Sequence, residues 1–520
     1  MSGLPIISLM TITPLLGAVW IWLQGSRQDA SAATRVGLRF TAVTFAWAAL
    51  VGWQFSAETS GLQLVEQGEW VPTLNLSYHV GVDGLSLLMI WLTTLLIPVS
   101  LLAARPRNAS HHFVALILLL ETGLLGTFTA MNFFHWFLFW EISLIPAFFL
   151  VRLWGGPKSA EASVQFFVYT FVGSVGLLLS FLALFAASGT FEFAQLAEQA
   201  RSGALFASIA TYLGWEDIPI KWIGVILFSL AFLGVAVKVP LYPFHTWLPS
   251  TYAEAPTGIT LLLTGLMSKM GVYALLRLIV PVFGAQMQLL ASPLLGLAAL
   301  TIIASAFAAY QQRDLKRIFA YSSINHLGYC FLGVFAIMQS QDLDAVWVSH
   351  SGAALNGVIL QMFQHGIIAG LIFFLIAQLE SRSDGLRDRD DFGGLRSVVP
   401  VYSTSLGIAL FASLGLPGLS AFIGEFLIFK GAFGLTKWAP ALSTIGLLIT
   451  AVFILGVIQK LLTGPMNKKW DSMPDLQARE KWVVYPAIAL ILIFGIFPQL
   501  LIHVINPTTL QFLAALGGGQ

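Results

Sequence analysis

The chain has 520 residues, of which 57% are hydrophobic and only 10% charged, and its net charge is +1. That balance is far from a soluble domain and gives no case for binding nucleic acid. A single cysteine, Cys330, excludes an internal disulfide framework and any multi-cysteine zinc or iron–sulfur site in this chain. Neither a GxGxxG fingerprint nor a GxxxxGK[ST] loop occurs, so the chain itself is expected neither to bind NAD nor to hydrolyse ATP.

A membrane helix needs about 20 predominantly apolar residues. Windows of that kind predict spans near 4–23, 37–56, 84–104, 112–130, 132–152, 163–187, 222–247, 257–281, 291–310, 317–338, 350–378, 401–434, 441–463 and 481–504. The first reads as a retained span, because it lacks a basic leader region and a small-residue cleavage site. No alternating strand pattern of a barrel is present. The expected class is an all-α polytopic membrane protein of about 14 transmembrane helices.

Loop charge supports that count. One set of alternate loops collects Arg27, Arg105, Arg107, Arg152, Lys158, Arg313, Lys316, Arg387, Lys468 and Lys469. The other set holds only Arg201, Lys221 and Lys437, beside acids such as Glu58, Glu66, Glu69, Glu216 and Asp217. The positive-inside rule puts the first set on the cytoplasmic or equivalent face and both termini on the opposite one.

Two spans carry helix breakers beside an ionisable residue. The seventh contains Lys238 followed by Pro240, Pro243 and Pro249, and the twelfth contains Pro417 and Gly418 ahead of Glu425. Proline removes a backbone donor and clashes with the preceding turn, so helices seven and twelve should be broken. The breaks lie five spans apart, as expected for two inverted five-helix repeats with sites at the interruptions. The corresponding division is residues 1–111 for helices one to three, 112–281 and 291–463 for the repeats, and 464–520 for a final loop and helix.

The ionisable residues inside the apolar windows are the chemistry to explain. A charge at bilayer depth costs a few kcal/mol or more, so it needs a partner, a wet cavity or a function. Glu141 lies in the fifth span, Lys238 in the seventh, Lys269 in the eighth, His326 in the tenth, His365 in the eleventh and Glu425 in the twelfth. Lys238 and Lys269 are the candidate cations for Glu141, and a buried Glu–Lys pair can exchange a proton between an ionic and a neutral state. Gly265 and Gly271 should let another helix or water approach Lys269. The two histidines can hand protons between their ring nitrogens. Secondary candidates are His245 near the end of span seven, Glu121 in span four, and Lys430 and Lys460 as partners of Glu425. Arg277 fits either ion pairing or function. His111 and His112, in a basic loop without a carboxylate set, are read as surface residues and not as a metal site.

Several motifs are long and specific. Phe-Trp-Glu-Ile-Ser-Leu-Ile-Pro (139–146), Lys-Val-Pro-Leu-Tyr-Pro-Phe-His-Thr-Trp-Leu-Pro (238–249) and Leu-Pro-Gly-Leu-Ser-Ala-Phe-Ile-Gly-Glu-Phe (416–426) resemble the antiporter-like membrane subunits of respiratory and photosynthetic complex I. Gly-Val-Asp-Gly-Leu-Ser (81–86) and Arg-Asp-Leu-Lys-Arg-Ile-Phe-Ala-Tyr-Ser-Ser-Ile-Asn-His-Leu-Gly (313–328) extend the resemblance over about residues 65–465. Glu425 is similar to the NuoM/NdhD branch, the chain 4 type, where sister subunits and many Mrp antiporter chains carry lysine. Ser250, Thr251 and Tyr252 stand where the family usually shows Asp-Ala-His, a departure that fits a specialised paralogue of the cyanobacterial kind.

The resemblance implies a proton-translocating subunit of an NAD(P)H- or ferredoxin-driven quinone oxidoreductase, with a subunit of an Mrp-type cation/proton antiporter as the alternative. It implies that Glu141 and Lys238 form the acid–base pair, that Lys269 connects, and that His326 and His365 lead to Glu425. It also implies that FMN or iron–sulfur clusters and quinone belong to partner subunits, with no cofactor or metal in this chain. The partners implied are other antiporter-like and small membrane subunits, a hydrophilic redox arm, and lipid. The membrane would be a bacterial plasma membrane or a cyanobacterial thylakoid reducing plastoquinone.

Overall fold

The computed structural model describes residues 4–25, 30–103, 106, 109–339 and 344–517. Arg27, Arg105 and Arg107 of the basic loops lie outside those residues. The apolar segments are helical, as an apolar solvent demands: only helices satisfy every backbone donor and acceptor within the segment.

Among the described residues, thirteen helices are long and apolar enough to cross a membrane. In chain order the first seven are Ile6–Gln24, Ala30–Gln54, Gly84–Leu102, His111–Thr129, Phe133–Trp154, Ser159–Ser188 and Ile220–Lys238. They continue with Thr257–Leu289, Ala291–Gln311, Leu315–Gln339, Ala345–Arg382, Trp438–Thr463 and Gln499–Gly517. The twelfth span stands outside that set because it is divided into Pro400–Ser413 and Ser420–Leu435, each half too short to qualify. Span seven is likewise interrupted: its helix ends at Lys238, residues 239–246 are turns, and a short helix follows at Trp247–Glu254. Both breaks thus fall where the prolines place them.

Polar residues start the helices at the ends. Asp83 accepts from the Ser86 amide at 2.9 Å, Asn132 from Phe134 at 2.9 Å, and Asp344 from Trp347 at 2.6 Å, each filling an orphan donor of a first turn.

Three features depart from the sequence expectation. Residues 63–82 form an antiparallel hairpin, Gln63–Val71 with Leu76–Val82, and not a plain loop. Glu66 of this hairpin caps the first span, accepting from the Ile7 amide at 2.6 Å and the Ser8 amide at 3.1 Å. Between spans six and seven, two short helices, Phe193–Arg201 and Ala204–Leu213, lie on the same face. The last span is not one helix over 481–504. It consists of Ala478–Ile496 and Gln499–Gly517, divided at Phe497 and Pro498. The two pieces run along span eleven, with Arg382 beside Glu480, Phe363 against Phe494 and Asn356 bonded to Asn506.

Spans eight and eleven are enclosed by protein over their whole apolar windows, whereas spans two and thirteen leave most of theirs exposed. Small residues set the closest approaches, as is usual where lipid offers no hydrophobic drive to helix association. A Cβ on Gly366 would lie 3.0 Å from the Gly265 carbonyl oxygen, so spans eight and eleven meet backbone to backbone. A Cβ on Gly357 would lie 2.6 Å from the Ile428 amide, which joins spans eleven and twelve in the same way.

Candidate functional site

Span eight is not a uniform α-helix. Leu263–Met267 and Leu275–Ile279 are π-helical and flank Ser268–Ala274, which carries Lys269. A π segment shifts the register of backbone bonds and frees carbonyls, a distortion found often at functional positions. Here the Thr264 carbonyl, five residues back, accepts from Lys269 Nζ at 2.6 Å. The same ammonium stands 2.7 Å from His365 Nδ1 of span eleven. A protonated lysine can only donate, so with Lys269 charged His365 accepts at Nδ1 and carries its own proton on Nε2. The Gly265–Gly366 approach, one turn from Lys269 and one residue from His365, is what brings the two side chains together.

From His365 the row continues to span ten. The His326 and His365 rings lie 5.2 Å apart between centroids. His326 Nδ1 stands 3.0 Å from Glu425 Oε1, not aligned as a hydrogen bond, and its Nε2 faces Ser413 Oγ at 3.3 Å. Glu425 also accepts from Gln361 Nε2 at 3.2 Å. The break in span twelve makes this fit. Gly415 adopts φ +77°, a conformation open to glycine, and a Cβ there would stand 2.8 Å from Glu425 Oε2. Lys269, His326, His365 and Glu425 are all buried.

The Glu141–Lys238 end is looser. Lys238 is buried at the last turn of its helix, its Nζ 4.5 Å from the centroid of the Trp140 ring. Glu141 lies in its field but not within the 4.0 Å of an ion pair, and Glu141 Oε1 is enclosed without a hydrogen-bond partner. Gly271 allows the broken helix to close on span eight, since a Cβ there would collide with Val239 and stand 3.4 Å from Lys238 Cβ. A cavity of about 10 Å³, bounded by Lys238, Trp247, Met267 and Ser268, lies between the two lysine-bearing spans. It has room for about one water.

The secondary candidates separate. Lys460 pairs with Asp390 at 2.8 Å, and Lys430 is exposed, so neither is the partner of Glu425; His326 holds that place because it approaches from the enclosed side of span twelve. His245 is half-buried and stacks on Tyr242 at 5.1 Å, apart from the row. Glu121 is fully buried, and among the described residues neither of its oxygens has a hydrogen-bond partner. Arg277 is an ion-pair residue: it reaches Asp83 at 2.7 Å and Ser86 at 3.2 Å, fastening the end of span eight to the start of span three. The His111 and His112 rings lie 4.0 Å apart at the start of span four. At the divergent 250–252 segment, Tyr252 is buried against Phe373 and Thr251 bonds back to the Trp247 carbonyl at 2.7 Å.

Sequence reasoning missed Gln361 and Gln364. Both are buried, Gln364 with neither side-chain atom partnered among the described residues. Their spacing to His365 was the available signal, because positions four and one residues away, with Gln361 and Gln364 themselves three apart, place a polar face on an otherwise apolar helix.

Residues 130–452 match the family described as NADH:quinone oxidoreductase/Mrp antiporter, transmembrane. The NADH-quinone oxidoreductase subunit M of Rhodobacter capsulatus is 32% identical, the match covering 97% of this chain and 95% of that protein. Among solved structures, a chain of respiratory complex I from Thermus thermophilus with bound NADH superposes with a TM-score of 0.84 at 26% identity, over 98% of this chain and all of that one. A chain of the Mrp complex from Dietzia sp. superposes with a TM-score of 0.81 at 18% identity over the full length of both, which speaks for the fold alone. With more than half its length matched to the family and a relative of this identity along nearly all of it, the chain belongs to the NADH:quinone oxidoreductase/Mrp antiporter transmembrane family.

Proposed function

We propose that this chain is a proton-translocating membrane subunit of a complex I-type quinone oxidoreductase. Protons pass along Glu141, Lys238, Lys269, His365, His326 and Glu425, while NAD(P)H or ferredoxin, FMN, iron–sulfur clusters and quinone act in partner subunits. The observation that carries the reading is the buried row of titratable groups from Lys269 to Glu425, drawn from four helices. Purely structural ion pairs in lipid would not need four titratable groups in file, since small residues already pack these helices.

In this mechanism Lys269 gives a proton to His365 Nδ1, and His365 releases its Nε2 proton towards His326, with one water bridging the rings. His326 takes it at one ring nitrogen and releases the proton of the other to Glu425 Oε1. Lys269 is recharged from Lys238, and both rings regain their starting tautomers by a flip or by exchange with the bridging water before the next proton. The Glu141–Lys238 gap is the adjustable step: closing it stabilises the ammonium, and opening it releases the proton towards Lys269 through the water-sized cavity. A shift in a neighbouring membrane subunit sets that separation. Moving one charge against 100 mV costs about 2.3 kcal/mol, which forming or breaking one buried ion pair can supply. The membrane is an energy-transducing one, bacterial plasma membrane or thylakoid.

The test uses sealed vesicles containing the intact assembly, with proton uptake measured against electron flow to quinone. Lys269→Met is expected to abolish the pH gradient while electron transfer persists. An unchanged ratio of protons to electrons would sink the reading. A gradient driven by sodium or potassium in place of an electron donor would move the chain to the Mrp-type antiporter.

A further inference from the structure

The face opposite the basic loops is poor in cations: its loops hold Arg201, Lys221 and Lys437. Two of these three converge on one groove of about 450 Å³, bounded by the end of helix Phe193–Arg201, the start of span seven, the end of span eight and the last helix. Its walls are apolar, formed by Phe206, Val280, Val282, Phe512 and Leu516, with Arg201 and Lys221 exposed at the rim. Among the described residues no carboxylate stands within 4.0 Å of either cation. The acids of the adjoining cleft are already engaged, Glu192 by His79 at 2.6 Å and Asp83 by Arg277 at 2.7 Å. Among the described residues Arg201 makes one hydrogen bond, from Nη1 to the Ala515 carbonyl at 3.2 Å, and Lys221 lies over the ring of half-exposed Trp222 at 5.6 Å.

Gln286 supplies an independent observation. It lines the groove and is more than nine-tenths buried, yet its Oε1 has no hydrogen-bond partner among the described residues. Its Nε2 packs where a Cβ on Gly224 would collide, so glycine at 224 makes room for this amide. Oε1 is closed to water where it lies, so the donor it calls for has to come from a group that reaches into the groove wall.

We propose that the groove binds an anionic glycerophospholipid from the leaflet on this face. The phosphate lies between Arg201 and Lys221, a headgroup hydroxyl donates to Gln286 Oε1, and an acyl chain follows the apolar wall. Charge, polarity and shape select this class together. A free inorganic anion has no use for the apolar wall, and a choline headgroup brings a third cation and no donor for Gln286. Trp222 marks the depth as the membrane interface, where tryptophan concentrates. The inference concerns a separate site and stands whether or not the buried row carries protons.

The intact assembly, purified in mild detergent, would be incubated with phosphatidylglycerol bearing a photoreactive diazirine on its acyl chain, illuminated and mapped by peptide mass spectrometry. Adducts are expected within 203–222, 280–289 or 512–517, competed by unlabelled phosphatidylglycerol but not by phosphatidylcholine or inorganic phosphate. Arg201→Ala with Lys221→Ala should weaken this labelling about tenfold, as loss of charge-assisted contacts does, and Gln286→Leu should also reduce it. Equal competition by phosphatidylcholine, displacement by inorganic phosphate, or absence of adducts in these segments would each overturn the proposal. If the double variant fails to assemble, the competition series on the native protein and the Gln286→Leu variant decide the matter.

Discussion

At one end of the buried row, Lys269, His365, His326 and Glu425 come from four helices and stand within contact or one water of each other. At the other end, Glu141 and Lys238 share a field but no bond, with an indole ring beside the ammonium in place of a carboxylate. The same kinds of side chain have therefore been arranged in two ways. Where glycines hold spans eight, eleven and twelve backbone to backbone, the polar groups are fixed in file. Where span seven is interrupted after Lys238, its side chain ends a helix and is held mainly by packing. A fixed file suits passage of protons with no more movement than a ring flip, and an unclosed pair suits control by movement.

The largest effect should come from cutting the fixed file. Lys269→Met removes both contacts of the ammonium, and pumping per electron should fall below about a tenth, a change of more than about 1.4 kcal/mol in the transfer barrier. Dye quenching in sealed vesicles measures it. Glu141→Gln should also depress pumping about tenfold, but Glu141→Asp, which widens the gap by one methylene, should fall between; if aspartate is as poor as glutamine, the distance is not the control variable.

Gly357→Val tests the packing that holds the file. Its side chain meets the Ile428 backbone, and the overpacking should cost about 1–3 kcal/mol, read as a lower Tm of the solubilised protein. A full-stability valine variant would show that spans eleven and twelve can part without loss.

Outside the membrane, burial alone would raise the Glu192 carboxyl, but hydrogen bonds from His79, Ser77 and Asn132 outweigh it and hold the group below the usual carboxylate range. A carboxyl depressed in the folded state stabilises at pH above its unfolded value and loses that contribution as pH falls through the folded one. The protection factor of the 63–82 hairpin in hydrogen exchange, corrected for the intrinsic pH dependence of the amides, should therefore be steady near neutrality and fall on strong acidification, and Glu192→Gln should flatten that response. The smallest effect belongs to Lys430→Ala, expected within about 0.5 kcal/mol of stability and without change in pumping; a loss comparable to that of Lys269→Met would place this exposed cation in the path.

Much of this was legible in the residues. Apolar windows located the spans, prolines located both breaks, and Gly265 and Gly271 marked the close approaches to Lys269. The last span was misjudged because hydropathy runs on through Phe497 and Pro498, while the bend there follows the surface of span eleven. The 63–82 hairpin escaped notice because its mixed polar sequence gives no clean alternation and draws support from Ile7, Ser8 and Met131 of other segments.

The sequence by itself determined the membrane class, the interruptions and the inventory of acids and bases within apolar windows, because each follows from the cost of placing a local stretch of chain in lipid. Which of those groups touch was decided by tertiary structure alone. Lys269 and His365 are 96 residues apart and meet only because two glycines let their helices close, while Glu425 took His326 and not Lys430 or Lys460 as its partner. Side-chain direction around a packed helix depends on its neighbours, and no property of a single span records it.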